Sequence, residues 1–258
     1  MNKKHIYNLK KTPESHQFHS SKLKVSPPST TPLPPVVDLR TTRLLDPVYN
    51  QGELGSCSAN AFAAAFNYNL KTQNLPSLIP NPSRLFLYYN ERVMENAVND
   101  DSGAMLGDGC ISLQKNGICS EKLWEYDISK FTIKPITDAY TEAAENTLVQ
   151  FNAVHNLNDI KHSLAGHNLP VVMGLMLYAS FEGHDVASNG IVPMPNVNTE
   201  ERLGGHAVLC VGYHDPKQWL IVRNSWGDGW GDHGYFYLDY SYINSGLMIE
   251  AYSLQMVK

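Results

Sequence analysis

In the segment Gln51 to Ala65, QGELGSCSANAFAAA, a single cysteine stands where a glycine-bearing loop meets an apolar run. Gly52 and Gly55 suit a tight turn, because glycine adopts backbone angles closed to other residues. Ala59 to Leu70 reads as a buried helix, with Phe62, Phe66 and Leu70 at helical spacing. Cys57 is therefore expected at a loop-to-helix junction. Unpaired backbone N–H groups and the positive end of the helix dipole stabilise a negative sulfur at such a place. The chemistry would be nucleophilic attack by a low-pKa thiolate. The competing explanation is an inert core cysteine, a common fate of this residue.

A cysteine nucleophile needs a base, and histidine is the usual one. Of ten histidines, His206 stands out because it follows Gly204-Gly205 and opens the apolar run GHAVLCVGY. A satisfied core histidine would look the same in isolation. The base in turn needs a group that fixes its tautomer and steadies the imidazolium. Asn224 ends the next apolar run, WLIVRN, and adjacent strands lie ~5 Å apart. Taken alone it is a turn residue. Cys57, His206 and Asn224 together supply a nucleophile, a base and an orienting partner.

Elements must bring these three together. Before residue 148 the pattern is helical: Ser83 to Ala97 with Ser83 as N-cap, Asp108 to Asn116 stopped by Gly117, and Thr137 to Asn146. Pro76 to Pro82 reads as a proline-broken loop and Asn99 to Gly109 as an acidic one. After residue 148 strands dominate: Leu148 to Val154, Pro170 to Tyr178, Gly205 to Tyr213, Trp219 to Asn224 and Tyr235 to Leu238, with one short helix from Asn158 to Ala165. Glu182 to Arg202 reads as a long loop. Helices first and strands second predict an α+β fold of two lobes, helical over about 50–147 and antiparallel β over about 148–258, with a cleft between them.

Residues 1–35 differ from the rest. They hold six prolines and six lysines against one acid, Glu14, so this arm carries about +5 and residues 36–258 about −10. The arm is either an unstructured basic tail or a short propeptide laid over the cleft. Pro27 to Pro35 reads as an extended linker. The ordered body is expected to begin at Val36. The net charge of −5 gives no footprint for nucleic acid, and no apolar run reaches the ~20 residues of a membrane helix. No secretory signal is visible, which points to the cytoplasm or another reducing compartment. Four cysteines, Cys57, Cys110, Cys119 and Cys210, are too few for a disulfide framework, and their pairing is left open. No histidine pair has a zinc-site spacing, and Gly227 to Gly234 lacks the lysine of a phosphate loop. Neither metal nor cofactor is expected.

Three blocks, Gln51-Gly52…Gly55-Ser56-Cys57, Gly205-His206-Ala207-Val208…Val211-Gly212-Tyr213 and Asn224-Ser225-Trp226-Gly227…Trp230-Gly231…Gly234-Tyr235, resemble the signature blocks of papain-like cysteine proteases. They come in the family's order, and the cysteine-to-histidine separation lies in its range of roughly 130–150 residues. Val37-Asp38-Leu39-Arg40 and Leu54-Gly55-Ser56-Cys57-Ser58-Ala59-Asn60-Ala61 look most like the microbial branch that includes xylellain. The resemblance implies a two-lobed peptidase with a Cys57-His206-Asn224 triad. It also implies that Gln51 and the Cys57 backbone N–H bind the oxyanion and that Trp226 shields the His206–Asn224 bond. Ser102 and Gly103 fall where the family pairs with substrate backbone, and Gly174 and Gly205 where it lines its main specificity pocket. A peptide or protein substrate and an inhibitory N-terminal arm are the implied partners.

Two departures stand out. Leu54 occupies the position of a customary cysteine, which leaves that cysteine's usual disulfide partner without a mate, and Ser58 follows the nucleophile where an aromatic residue is frequent. The other function class on this fold is acyl or amide transfer, or peptide binding without hydrolysis. It is disfavoured because every catalytic position is filled.

Overall fold

The computed structural model describes residues 5–13, 32–73, 79 and 81–257. Most of the Pro76 to Pro82 loop and the arm over residues 14–31, with the start of its proline run, lie outside the described residues.

Helix α1, Cys57–Thr72, starts at the cysteine itself, two residues earlier than its apolar pattern suggests. Every residue from Cys57 to Leu70 is buried. A helix covered on all sides belongs to the core, and its alanines let neighbouring elements approach closely. Helix α2, Arg84–Met94, is capped by Ser83, whose Oγ accepts the Phe86 N–H at 3.1 Å. Helix α3, Leu106–Lys115, is followed by Gly117 at φ +72, where a Cβ would stand 1.8 Å from the Ala143 carbonyl oxygen. Only glycine fits there. Helix α4, Thr137–Ala144, completes the helical lobe.

The sheet comprises β1 Val36–Asp38, β2 Leu148–Ala153, β3 Val171–Tyr178, β4 Ile191–Val192, β5 Arg202–His214, β6 Trp219–Arg223, β7 Tyr235–Asp239 and β8 Met248–Val257. Helices α5 Leu157–Gly166, α6 His184–Asn189 and α7 Tyr240–Asn244 lie between strands. The strand order is β2-β8-β3-β5-β6-β7-β4, with β1 added to β5. All pairings are antiparallel except the short one of β4 with β7, so the sheet is mostly antiparallel, in line with the expected α+β fold. Three further features escape the sequence pattern. Strand β8, the C-terminal run, inserts between β2 and β3. The expected loop from Glu182 to Arg202 contains α6 and β4, both too short to show a period. The chain also joins the body just before Val36, because Tyr213 Oη donates to the Pro34 carbonyl at 2.6 Å. No described helix is long and apolar enough to cross a membrane.

Helix α1 packs against β5 and β8, which sets Cys57 beside the strand carrying His206. A second tie fixes the loop before α1. Buried Arg223, at the end of β6, donates to the Asp46 and Pro47 carbonyls at 2.5 and 2.6 Å. The Gln51 N–H donates to the Ser225 carbonyl at 2.8 Å, and the Gly227 N–H to that of Tyr49 at 2.9 Å. Residues 46–51 are thereby held against the turn that carries Asn224. The four cysteines are buried and unpaired. Since no cross-link contributes to the fold, adding reductant should leave the melting temperature unchanged; a marked fall in a thermal scan would reveal a disulfide.

Candidate active site

Ser56 precedes α1 without a side-chain cap, so the first N–H groups of the helix stay available at its positive end. Cys57 is the first helical residue and is 1% exposed. Its thiol lies against the backbone of Ala207, the neighbour of His206 on β5. Tyr126 and Ser56 hydroxyls meet at 2.5 Å, and the Gly55 N–H donates to both carboxylate oxygens of Asp101 at 3.0 and 2.9 Å. The loop that delivers the cysteine is therefore braced on both sides.

His206 is fully buried, and its Nε2 lies 2.8 Å from Asn224 Oδ1. The Ser225 backbone N–H donates to that same oxygen at 2.9 Å, which identifies it as the amide oxygen. Nε2 must then carry the proton, and Nδ1 keeps its lone pair. Nδ1 has no hydrogen-bond partner among the described residues. The imidazole is thus poised to take a proton on the side away from Asn224. Trp226 lies over the ring at a centroid distance of 5.1 Å, in an aromatic cluster with Phe181 and Trp230. Gln51 is also buried. Its Oε1 accepts from Ser225 Oγ at 2.5 Å, and Nε2 donates one N–H to the Leu54 carbonyl at 2.9 Å. A carboxamide has two N–H groups, so one remains for an oxyanion.

Described residues 5–13 lie in the cleft as an extended strand. The Leu9 N–H donates to the Gly205 carbonyl at 3.1 Å and the Lys10 N–H to that of Ala104 at 3.0 Å. Asn8 Nδ2 donates to the Asp101 carbonyl at 3.0 Å. His5 stacks flat on Trp226 at 3.6 Å, and Tyr7 meets His206 and Trp226 edge-on at 6.1 Å. Leu9 is 7% exposed, with Cδ2 2.7 Å from where a Gly174 Cβ would stand. A Cβ on Gly103 would come within 2.0 Å of the Asn8 oxygen, and one on Gly205 within 2.4 Å of the Leu9 oxygen. Side chains at these positions would expel the strand. The structure therefore sets Gly103, Gly174 and Gly205 directly against the arm, with Ser102 beside it bonding to the Gly103 carbonyl at 3.0 Å.

Charge follows the same path. Lys10 Nζ pairs with Glu95, His5 Nδ1 lies 2.9 Å from Glu182, and Tyr7 Oη donates to Glu182 as well. With this arm in place the site is dry. Burial pushes the Cys57 thiol up to about 12 and His206 down to about 4, against the Asn224 hydrogen bond that favours the imidazolium. Under the arm, burial therefore works against the thiolate that a helix N-terminus favours.

Several site residues carry no sequence signal. Glu95 and Glu182 are single acids in an acidic body, and only the fold turns them toward the arm. Tyr7 and Leu9 lie in a low-complexity arm. Buried Glu91 accepts from Ser58 Oγ at 2.7 Å, and burial holds its carboxyl well above the usual range. That pairing also accounts for a hydroxyl at position 58, directly after Cys57.

Residues 33–254 match the family model described as papain family cysteine protease. An uncharacterized peptidase C1-like protein of Acanthamoeba polyphaga mimivirus is 41% identical over 204 residues, covering 75% of this chain and 64% of the viral protein. Ananain of Ananas comosus is 29% identical, over 80% of this chain and 56% of its own length. The chain thus spans less than two thirds of these curated relatives. Among solved structures, xylellain, a cysteine protease from Xylella fastidiosa, superposes with a TM-score of 0.79 at 36% identity over 88% of each chain. The digestive procathepsin L2 of Tenebrio molitor larval midgut, at 22% identity, shares the fold with a TM-score of 0.76 over 98% of this chain and 78% of its own. With its model matched over most of its length, the chain belongs to the papain family of cysteine proteases.

Proposed function

We propose that this chain is a cysteine peptidase that hydrolyses peptide bonds with Cys57, His206 and Asn224, and that its own residues 5–13 restrain it. The observation that carries this is the buried His206–Asn224 bond, which frees Nδ1 as a base beside the helix that begins at Cys57. In the open cleft, Nδ1 accepts the thiol proton and the thiolate attacks the substrate carbonyl carbon. The resulting oxyanion accepts from the second Gln51 N–H and the Cys57 backbone N–H, each donor being worth ~3–4 kcal/mol in the transition state. As the tetrahedral intermediate collapses, the C–N bond breaks and the imidazolium gives its proton to the leaving amine. A water molecule, deprotonated by His206, then hydrolyses the thioester. Asn224 holds the ring in line throughout, and Trp226 keeps water from their bond.

The arm makes the contacts a peptide would make. It pairs through backbone groups along Ala104 and Gly205, and it places Leu9 beside Gly174. Its polarity is the reverse of a productive substrate. The leaving amine must lie near His206 and Trp226, so the amino-terminal part of a substrate runs past Gly103 and Gly174. In the arm it is the amino-terminal end, His5 to Tyr7, that lies at Trp226 and His206. This reversed strand occupies the cleft in place of a substrate.

Cys57→Ala should abolish peptide hydrolysis with the far-UV circular dichroism unchanged. His206→Ala should come close to it, because the two act as one unit, and Asn224→Ala should be milder. Wild-type turnover by Cys57→Ala would refute the nucleophile. In the full chain, Leu9→Asp puts a charge into an apolar pocket, so initial rates on small peptides should rise several-fold. Equal rates would show that the arm does not restrain the enzyme.

Acid should open the arm. In the closed form His206 has a pKa of about 4, below its ordinary 6.5, so the closed form is favoured most fully above pH 6.5 and loses stability as pH falls toward 4. Desolvation raises the Glu182 pKa, but hydrogen bonds from His5 and Tyr7 outweigh it and leave the carboxyl below 4.5. Its contribution is present above pH 4.5 and fades below it. Both signs agree. Titrating the Cys57→Ala chain should therefore give a reversible change in tryptophan fluorescence between pH 6.5 and 4, as His5 leaves Trp226. A flat titration would contradict the linkage.

A further inference from the structure

From the contact between the arm and Glu95 we infer that Glu95 selects substrates carrying lysine or arginine next to the residue that fills the Gly174–Gly205 pocket, on its amino-terminal side. This rests on the peptidase reading and on the substrate polarity given above.

Glu95 caps the C-terminus of α2, the negative end of that helix, where a carboxylate is disfavoured. Its side chain is only 9% exposed. One oxygen, Oε2, faces Lys10 Nζ; the other, Oε1, is buried without a hydrogen-bond partner among the described residues. A buried carboxylate needs a counter-charge, since desolvation without a partner is costly. Neighbouring Arg92 does not supply it, because its guanidinium donates to the carbonyls of Tyr88, Val98, Asp100 and Phe131. Nearby Glu91 is a further acid. Among the described residues, the cation paired with Glu95 therefore comes from the arm.

The position of that cation is set by backbone. Leu9 and Lys10 are consecutive: the first occupies the apolar pocket, and the second is held by its N–H on the Ala104 carbonyl. In the proposed complex, a substrate that replaces the arm sets the second residue before the cleaved bond in the pocket of Leu9 and the next one toward its amino terminus over Ala104. A lysine or arginine there restores the pair that the departing arm takes away. An uncharged residue leaves Glu95 desolvated beneath the substrate. Selectivity arises as much from that unpaired acid as from the new contact.

The test compares two fluorogenic peptides that differ only at this third position, lysine against norleucine, each with leucine at the second. It uses the full-length chain. The fraction of molecules with the arm withdrawn is the same for both peptides, so it cancels from the ratio of their kcat/KM values. Wild type should favour lysine by about tenfold, mostly through KM. The ratio should fall to near one in Glu95→Gln, drop below one in Glu95→Lys, and shrink with added salt in wild type. Wild type that cleaves both peptides equally, or Glu95→Gln that keeps the preference, would overturn the assignment while leaving the peptidase intact. If neither wild type nor the Leu9→Asp chain cleaves either peptide, the peptidase reading itself fails, and this assignment with it.

Discussion

The hydrogen bond from His206 Nε2 to Asn224 Oδ1 is the interaction on which the site depends. A histidine with no solvent exposure needs a partner for its N–H, and the choice of partner fixes the proton on one nitrogen. Asn224 serves because it is uncharged and because the Ser225 N–H holds its oxygen toward the ring. The surrounding architecture follows from keeping this bond dry. Trp226, Phe181 and Trp230 wall it off, and Arg223 and Gln51 clamp the preceding loop onto the asparagine turn. One clamp therefore orients His206 and positions Gln51.

The burial that protects the bond also bears on the Cys57 thiol. With the cleft covered, burial raises the Cys57 thiol and lowers His206, so both shifts favour the neutral forms. The covering strand thus bears on the protonation of Cys57 and His206 as well as on access to them.

Among the described residues, ion pairs attach the arm to the body at two points. Lys10 meets Glu95 at one end of the cleft, and His5 with Tyr7 meets Glu182 at the other. Between them lie backbone pairing and an apolar anchor at Leu9. The glycines lining the cleft make this possible, since a Cβ at Gly103, Gly174 or Gly205 would overlap the strand. A cleft built to admit a backbone accepts the chain's own amino-terminal segment by the same contacts.

Local chemistry was legible in the sequence. Helix periodicity and glycine placement located α1 and the junction at Cys57, alternation of composition separated the helical lobe from the sheet, and Ser83 marked a helix start that the fold uses. The spacing of Cys57, His206 and Asn224 grouped them as candidates, and the fold sets His206 against Asn224 on elements packed beside the helix of Cys57. Strand β8, the parallel pairing of β4 and the contents of the Glu182 to Arg202 segment were not legible, because short or irregular runs gain their structure from neighbours rather than from their own pattern. The effect of burial on the Cys57 thiol was not legible either, since a helix terminus is a local feature whereas desolvation depends on everything packed around the thiol. Glu95 and Glu182 were invisible for the same reason. An acid's partner is fixed by distance in space, and only the tertiary structure brings residues more than eighty positions apart into one ion pair.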